Sequence, residues 1–125
     1  MNELSAIRYE VKKSRFFAHL YEINGPEDVA DITAEICRKY RNADHVCSAV
    51  RYMDGRGVLQ EDWKNDGEVG RPGMALLEIL RSRQCNRHML VVARIFGGIK
   101  LGPGNVTRAF RTAGIGVFEE YSQRE

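Results

Sequence analysis

The chain reads as an α+β or α/β sandwich, a sheet with helices packed on one of its faces. Three observations predict it. Apolar residues switch between a period of two and a period near 3.6, giving the order β-β-α-β-β-α-β-α. Residues 88–96 (HMLVVARIF) are continuously apolar around a single arginine, as a central strand is. The length, 125 residues, suits a single domain that hides roughly two thirds of its unfolded surface from water.

The elements follow in turn. Residues 5–11 (SAIRYEV) and 15–23 (RFFAHLYEI) are rich in aromatic and β-branched residues and form two strands, with Lys12, Lys13 and Ser14 as their turn. Residues 24–41 are helical. Asn24-Gly25-Pro26 opens that helix, Glu27 and Asp28 suit its first turn, and Val29, Ile32, Ile36 and Tyr40 make its apolar stripe. Residues 45–53 (HVCSAVRYM) are a strand with His45 and Cys47 on the same face. Asp54-Gly55-Arg56-Gly57 turns the chain into a returning strand, 58–64 (VLQEDWK). Asn65-Asp66-Gly67 is a further turn, and 74–81 (MALLEILR) a short helix. After strand 88–96 and a glycine-rich loop, Val106, Ala109, Phe110, Ala113, Val117, Phe118 and Tyr121 line one side of a last helix, with Thr107, Arg108, Arg111 and Thr112 on the other. Gly114 and Gly116 each cost that helix ~1 kcal/mol against Ala, so it is expected to pack very close to the sheet there.

Composition excludes several classes. No apolar run approaches the ~20 residues of a membrane helix, and MNELSAIRYE has no apolar signal-peptide core. Cys37, Cys47 and Cys85 are odd in number and lack CxxC spacing, so free thiols in a reducing, cytoplasmic setting are expected. No nucleotide, metal or cofactor motif calls for a cofactor. Net charge is +2 but unevenly spread. Residues 79–118 carry Arg81, Arg83, Arg87, Arg94, Lys100, Arg108 and Arg111 with no acid, a segment of +7, while the remainder is −5. Such a segment attracts an anion, nucleic acid or an acidic protein surface, unless carboxylates from the other half neutralise it.

The stretch 94-RIFGGIKLGPGN-105 is the strongest chemical signal. A strand, a loop with Gly97, Gly98, Gly102 and Gly104, and a helix start together offer backbone N–H groups to an anion, and Lys100 adds a point charge. The spacing matches neither GxxxxGK[ST] nor GxGxxG, so a plain tight turn competes with this reading. Glu61, Asp62, Asp66 and Glu68 form an acidic cluster in which Asp66 and Glu68 are a candidate metal site; a solvated hairpin competes. His45 and Cys47 make half a zinc site or a nucleophile–base pair without a visible third member. His19 and His88 carry no signal. Phe16, Phe17 and Tyr21 are either core or a stacking platform for bases beside Lys12, Lys13 and Arg15.

Four blocks, 12-KKSRFFAHL-20, 43-ADHVCSAVR-51, 65-NDGE-68 with 73-GMALLEIL-80, and 91-VVARIFGGIKLGPGNVTRAF-110, together resemble the IMPACT/YigZ family over nearly the whole chain. The last is the most specific. The resemblance implies a two-layer α+β sandwich like the second domain of ribosomal protein S5, with a four-stranded sheet backed by helices and a left-handed βαβ crossover. That superfamily includes RNA-contacting ribosomal domains and small-molecule kinases, so the fold does not choose a function. Eukaryotic members look like translation regulators that compete for the ribosome-associated activator of a starvation kinase, chiefly through a separate N-terminal domain. Bacterial two-domain members add a ferredoxin-like C-terminal domain. The chain is expected to be the core module alone.

It departs from the family pattern in three places. Asn65 replaces the first acid of D-D-G-E, the turn Val69-Gly70-Arg71-Pro72-Gly73 is shorter and holds Arg and Pro, and Asn105 stands where a second glycine is usual. The lost carboxylate and hydroxyl argue against a shared enzymatic role and leave an anion site in place. The resulting expectation is a binding module in translation regulation, with RNA or a ribosome-associated protein as partner. It would act through Lys12, Lys13, Arg15, Gly97, Gly98, Lys100, Gly102, Gly104, Asn105, Arg108 and Arg111, with steeply salt-dependent binding. Two readings compete with it. One is an enzyme or binder of a phosphorylated small molecule, with the loop on phosphate and Asp66 or Glu68 on a metal. The other is a purely structural or oligomeric protein.

Overall fold

A computed structural model describes residues 1–124. The elements come in the expected chain order: β1 (Asn2–Val11), β2 (Ser14–Glu22), α1 (Pro26–Lys39), β3 (His45–Met53), β4 (Leu59–Lys64), α2 (Pro72–Ser82), β5 (Arg87–Ile95) and α3 (Pro103–Gln123). All three prolines of the chain stand in the first turn of a helix. The ring fixes φ near its helical value, and the missing N–H is one that the first turn leaves unused. Pro72 therefore starts α2 two residues before the hydrophobic periodicity does.

All five strands join one antiparallel sheet in the order β1-β2-β5-β3-β4. The four-stranded sheet implied by resemblance is thus corrected to five. Both hairpins contribute both of their strands, and β5 runs between them as the centre. Met89 to Ala93 are completely buried there, which explains the unbroken apolar run.

Helices cover both faces of the sheet, not one. Phe16, Ala18, Leu20, Cys47, Ala49, Leu90 and Val92 pack with α2 and α3. Tyr21, Val50, Met89, Val91 and Ala93 pack with Ile32 and Ile36 of α1 on the opposite face. The two-layer expectation becomes three layers, because a central strand apolar on both sides needs cover on both. Of the two helix glycines, Gly114 meets the expectation: a Cβ there would lie 2.9 Å from Ile79 of α2 and 3.2 Å from Leu90 of β5. Gly116 does not, since a Cβ there would touch Ile7 at an ordinary 3.5 Å.

Phe16 and Tyr21 are buried in these cores, and the Phe17 ring stacks on Tyr40 with centroids 4.6 Å apart. They build the fold and are not the stacking platform that was the alternative. No helix among the described residues is long and apolar enough to cross a membrane.

Candidate binding site at the glycine loop

The loop between β5 and α3 is pinned from three sides. Phe96 N–H donates to Asp44 Oδ2 at 2.7 Å, and Gly97 N–H donates to Ser14 Oγ at 3.3 Å. Leu101 is buried in the core. Gly97 lies directly against the Lys13 backbone, and a Cβ there would overlap it. This answers part of what the glycines are for: one of them admits the β1–β2 turn. That turn holds both lysines in the left-handed region, Lys12 at φ 47 and Lys13 at φ 68.

Beside the loop opens a cavity of about 440 Å³, lined among others by Asp44, His45, Glu68, Arg94, Phe96, Lys100 and Leu101. One side is a buried ion pair. Arg94 Nη1 donates to both Glu68 carboxylate oxygens at 3.0 and 2.9 Å, with side-chain exposures of 7% and 2%. The guanidinium sits 5.7 Å from the ring centroids of both Phe16 and Phe96. Its Nε–H is buried and has no acceptor among the described residues. His45 stands next to the pair, with Nε2 3.6 Å from Glu68 Oε1. Its Nδ1 donates to the Asp66 carbonyl at 2.9 Å, and because a carbonyl only accepts, Nδ1 carries the proton.

The 65–68 turn is fixed by backbone bonds. Asp66 Oδ2 accepts Val46 N–H at 2.7 Å, and Asn65 Oδ1 accepts Gly73 N–H at 2.8 Å, satisfying a first-turn donor of α2. Cys47 Sγ donates to the Asn65 carbonyl at 3.1 Å. Burial, and then the Glu68 and Asp66 carboxylates, push that thiol well above its ordinary range, so it is no ready nucleophile. His45 and Cys47 thus each bond a different carbonyl of one turn. Among the described residues no group of three His, Cys, Asp or Glu could hold a metal ion. Glu61 instead bonds Arg51 and Arg81, and Arg81 foremost holds its carboxyl below the usual range.

The +7 segment divides. Arg81, Arg87 and Arg94 pair with Glu61, Glu22 and Glu68, and Arg83 lies over the Phe118 ring at 4.8 Å. Lys100, Arg108 and Arg111 have no carboxylate partner among the described residues. They fall in three adjoining depressions around the start of α3. Lys100 lines the cavity. Lys12 and Arg108 line a second depression, sharing Leu101 with the cavity. Arg71 and Arg111 line a third with Gly104 and the acidic Glu78, sharing Pro103 with the cavity. Asn105 accepts from Arg108 at 2.8 Å and donates to the Leu101 carbonyl at 2.9 Å, tying the arginine to the loop. Gly98 and Gly102 carry the loop at positive φ. Lys13 and Arg15 line none of the three.

Sequence reasoning missed Asp44, Arg94 and Phe96 as site residues. The available signal was Arg94 itself, a lone charge inside an apolar strand, which burial forces to find a partner.

The profile of the Impact N-terminal domain matches residues 12–117. The IMPACT family member YvyE of Bacillus subtilis is 37% identical over 101 residues, 80% of this chain and 46% of that protein. An IMPACT family member of Haemophilus influenzae is 37% identical over 102 residues, 81% of this chain and 50% of its own length. The chain thus spans about half the length of these relatives. A crystal structure of a hypothetical protein superposes with TM-score 0.83 at 26% identity, covering 93% of this chain and 57% of the other. The structure of the two-domain translational regulator Yih1 superposes with TM-score 0.59 at 27% identity, covering 94% of this chain and 46% of that one. With a match over residues 12–117 and relatives of this name, the chain belongs to the IMPACT family, of which it carries the Impact N-terminal domain.

Proposed function

We propose that this domain is a binding module in translation regulation that grips RNA through the basic surface around the start of α3. The observation carrying this reading is the division of the +7 segment. Arg81, Arg83, Arg87 and Arg94 are ion-paired or stacked, while Lys100, Arg108 and Arg111, with Lys12, have no carboxylate partner among the described residues and line three adjoining depressions. Cations without ion-pair partners, spread over adjoining depressions, suit a chain of phosphates better than one small anion. The likeness to a protein described as a translational regulator supports the process. A ribosome-associated protein with an acidic face would use the same charges.

The metal arm of the small-molecule reading finds no support, because Glu68 is engaged by Arg94 and Asp66 by Val46. Fluorescence anisotropy with labelled single-stranded RNA across a salt series tests the RNA reading. Wild type should bind with log K falling ~0.7 per phosphate contact for each decade of salt. Arg108→Glu/Arg111→Glu should lose both affinity and slope. Wild type that fails to bind at low salt overturns the reading and directs the search to protein partners.

A further inference from the structure

The cavity beside the loop differs from the two basic depressions in chemistry. A bare phosphate would gain nothing from the half-exposed Phe96 ring or from Leu101, and would face the Glu68 carboxylate. A purely apolar group would cover the polar edge of the lining, where His45 Nε2 stands 3.6 Å from Glu68 Oε1. The lining therefore asks for a group that is flat and apolar on its faces, mixed in donors and acceptors along one edge, and joined to a single anion near Lys100. We propose that the cavity takes one ribonucleoside phosphate unit, its base against Phe96 with an edge toward Arg94, Glu68 and His45, and its phosphate at Lys100.

The proposal deepens the RNA reading and rests on it for the source of the unit, a nucleotide turned out of a bound strand. Phe96 is suited to the task. It follows the central strand, its amide is fixed by Asp44, the residue is 44% exposed, and its ring lies beside the Arg94 guanidinium. A buried donor set held by the fold selects its ligand by what it would otherwise leave unpaired. The size is also fitting, since a cavity of about 440 Å³ falls in the range of small-molecule sites.

The four ribonucleoside 5′-monophosphates, their parent nucleosides and inorganic phosphate, each titrated at millimolar concentrations into the isotope-labelled chain, test it by NMR. At least one nucleotide should shift the Arg94 Nε–H and the amides from Phe96 to Val106 saturably, with contacts between base protons and the Phe96 ring. Phe96→Ala, at a half-exposed position, should weaken that binding about tenfold, and Lys100→Gln should weaken nucleotide more than nucleoside. Inorganic phosphate giving the same shifts, or no nucleotide moving these resonances, overturns the proposal. The source is separated by Arg108→Glu/Arg111→Glu. Nucleotide binding that survives in a variant unable to hold RNA supports a distinct cavity. Nucleotide binding by a wild type that holds no RNA supports the cavity and overturns only the RNA surface.

Discussion

The molecule buries polar clusters on both faces of its sheet, and the two are finished differently. On the α1 face, His19 is 2% exposed, with Nδ1 2.6 Å from Glu3 Oε1 and Nε2 2.7 Å from the Tyr40 hydroxyl. Both ring nitrogens have partners, drawn from β1 and the end of α1, so the cluster ties three elements together. On the α2–α3 face, Arg94 and Glu68 are also buried, but the Arg94 Nε–H has no partner among the described residues and a cavity opens beside the pair. A closed network is explained by the fold that it holds. An open one beside a cavity is not explained by packing alone, and it fits the ligand proposed for that cavity.

The largest expected effect comes from breaking the open cluster. Glu68→Ala leaves a buried guanidinium without its counter-charge and should lower unfolding free energy by about 3–5 kcal/mol. Replacing both partners, Glu68→Leu with Arg94→Met, should recover much of that loss while abolishing nucleotide-induced shifts at Phe96. Urea denaturation of the single and double variants checks the first point and NMR titration the second. A double variant as unstable as the single one would mean that the pair itself holds the face together, and the contrast with the His19 cluster would weaken.

The closed cluster gives a smaller, pH-dependent effect. Burial lowers the His19 pKa below 6.5 despite the opposing Glu3 bond. The folded state therefore keeps the ring neutral, while the unfolded chain takes up a proton near pH 6.5. Its contribution is complete above that pH and declines as pH falls below it toward the folded value, by at most ~1.4 kcal/mol per pH unit for one proton. Burial also lowers the His88 pKa, which adds to the same slope. Stability measured from pH 7.5 to 5.5 should fall less steeply in His19→Gln than in wild type, with His88→Gln as the comparison. Tyr40→Phe should cost about 1 kcal/mol at neutral pH by leaving a ring acceptor unmatched. An unchanged slope in His19→Gln would show that its protonation is not what the fold resists.

How much of this contrast could be read from sequence differs by cluster. The strands and helices were legible because each has its own apolar period, and Pro26 marked the first helix start, whereas Pro72 and Pro103 were read as turn and loop. The glycine loop was legible as a candidate site, yet the residues that line the cavity beside it were not. Asp44 is an ordinary loop acid until its carboxylate meets Phe96 N–H, 52 positions away. His45 was legible only as a partner for Cys47, through strand alternation, whereas the fold sets it beside Glu68 from the turn after β4. Glu3, His19 and Tyr40 come from three elements, and no local spacing joins them. Pairings between distant elements follow from sheet order, with β5 between the two hairpins, and that order was not visible from periodicity.

The smallest expected effect sharpens the comparison at the turn packed on the loop. A two-residue hairpin with both residues at positive φ favours Asn-Gly, because a side chain there crowds its own backbone by roughly 1–2 kcal/mol. This chain places Lys12 and Lys13 there. Lys12 lines a depression with Arg108, so its charge has a use in the RNA reading, whereas Lys13 lines none and the atoms it sets nearest Gly97 are its backbone and Cβ. Lys13→Gly should therefore raise stability by about 0.5–1 kcal/mol, the relief of strain less the added freedom of glycine in the unfolded chain, and leave RNA affinity near wild type. Lys12→Asn should relieve similar strain and yet weaken RNA binding, with a salt slope shallower by ~0.7. If Lys13→Gly also weakens RNA binding, the strained pair is held for the ligand as a unit, and the basic surface extends across the turn beyond the three depressions.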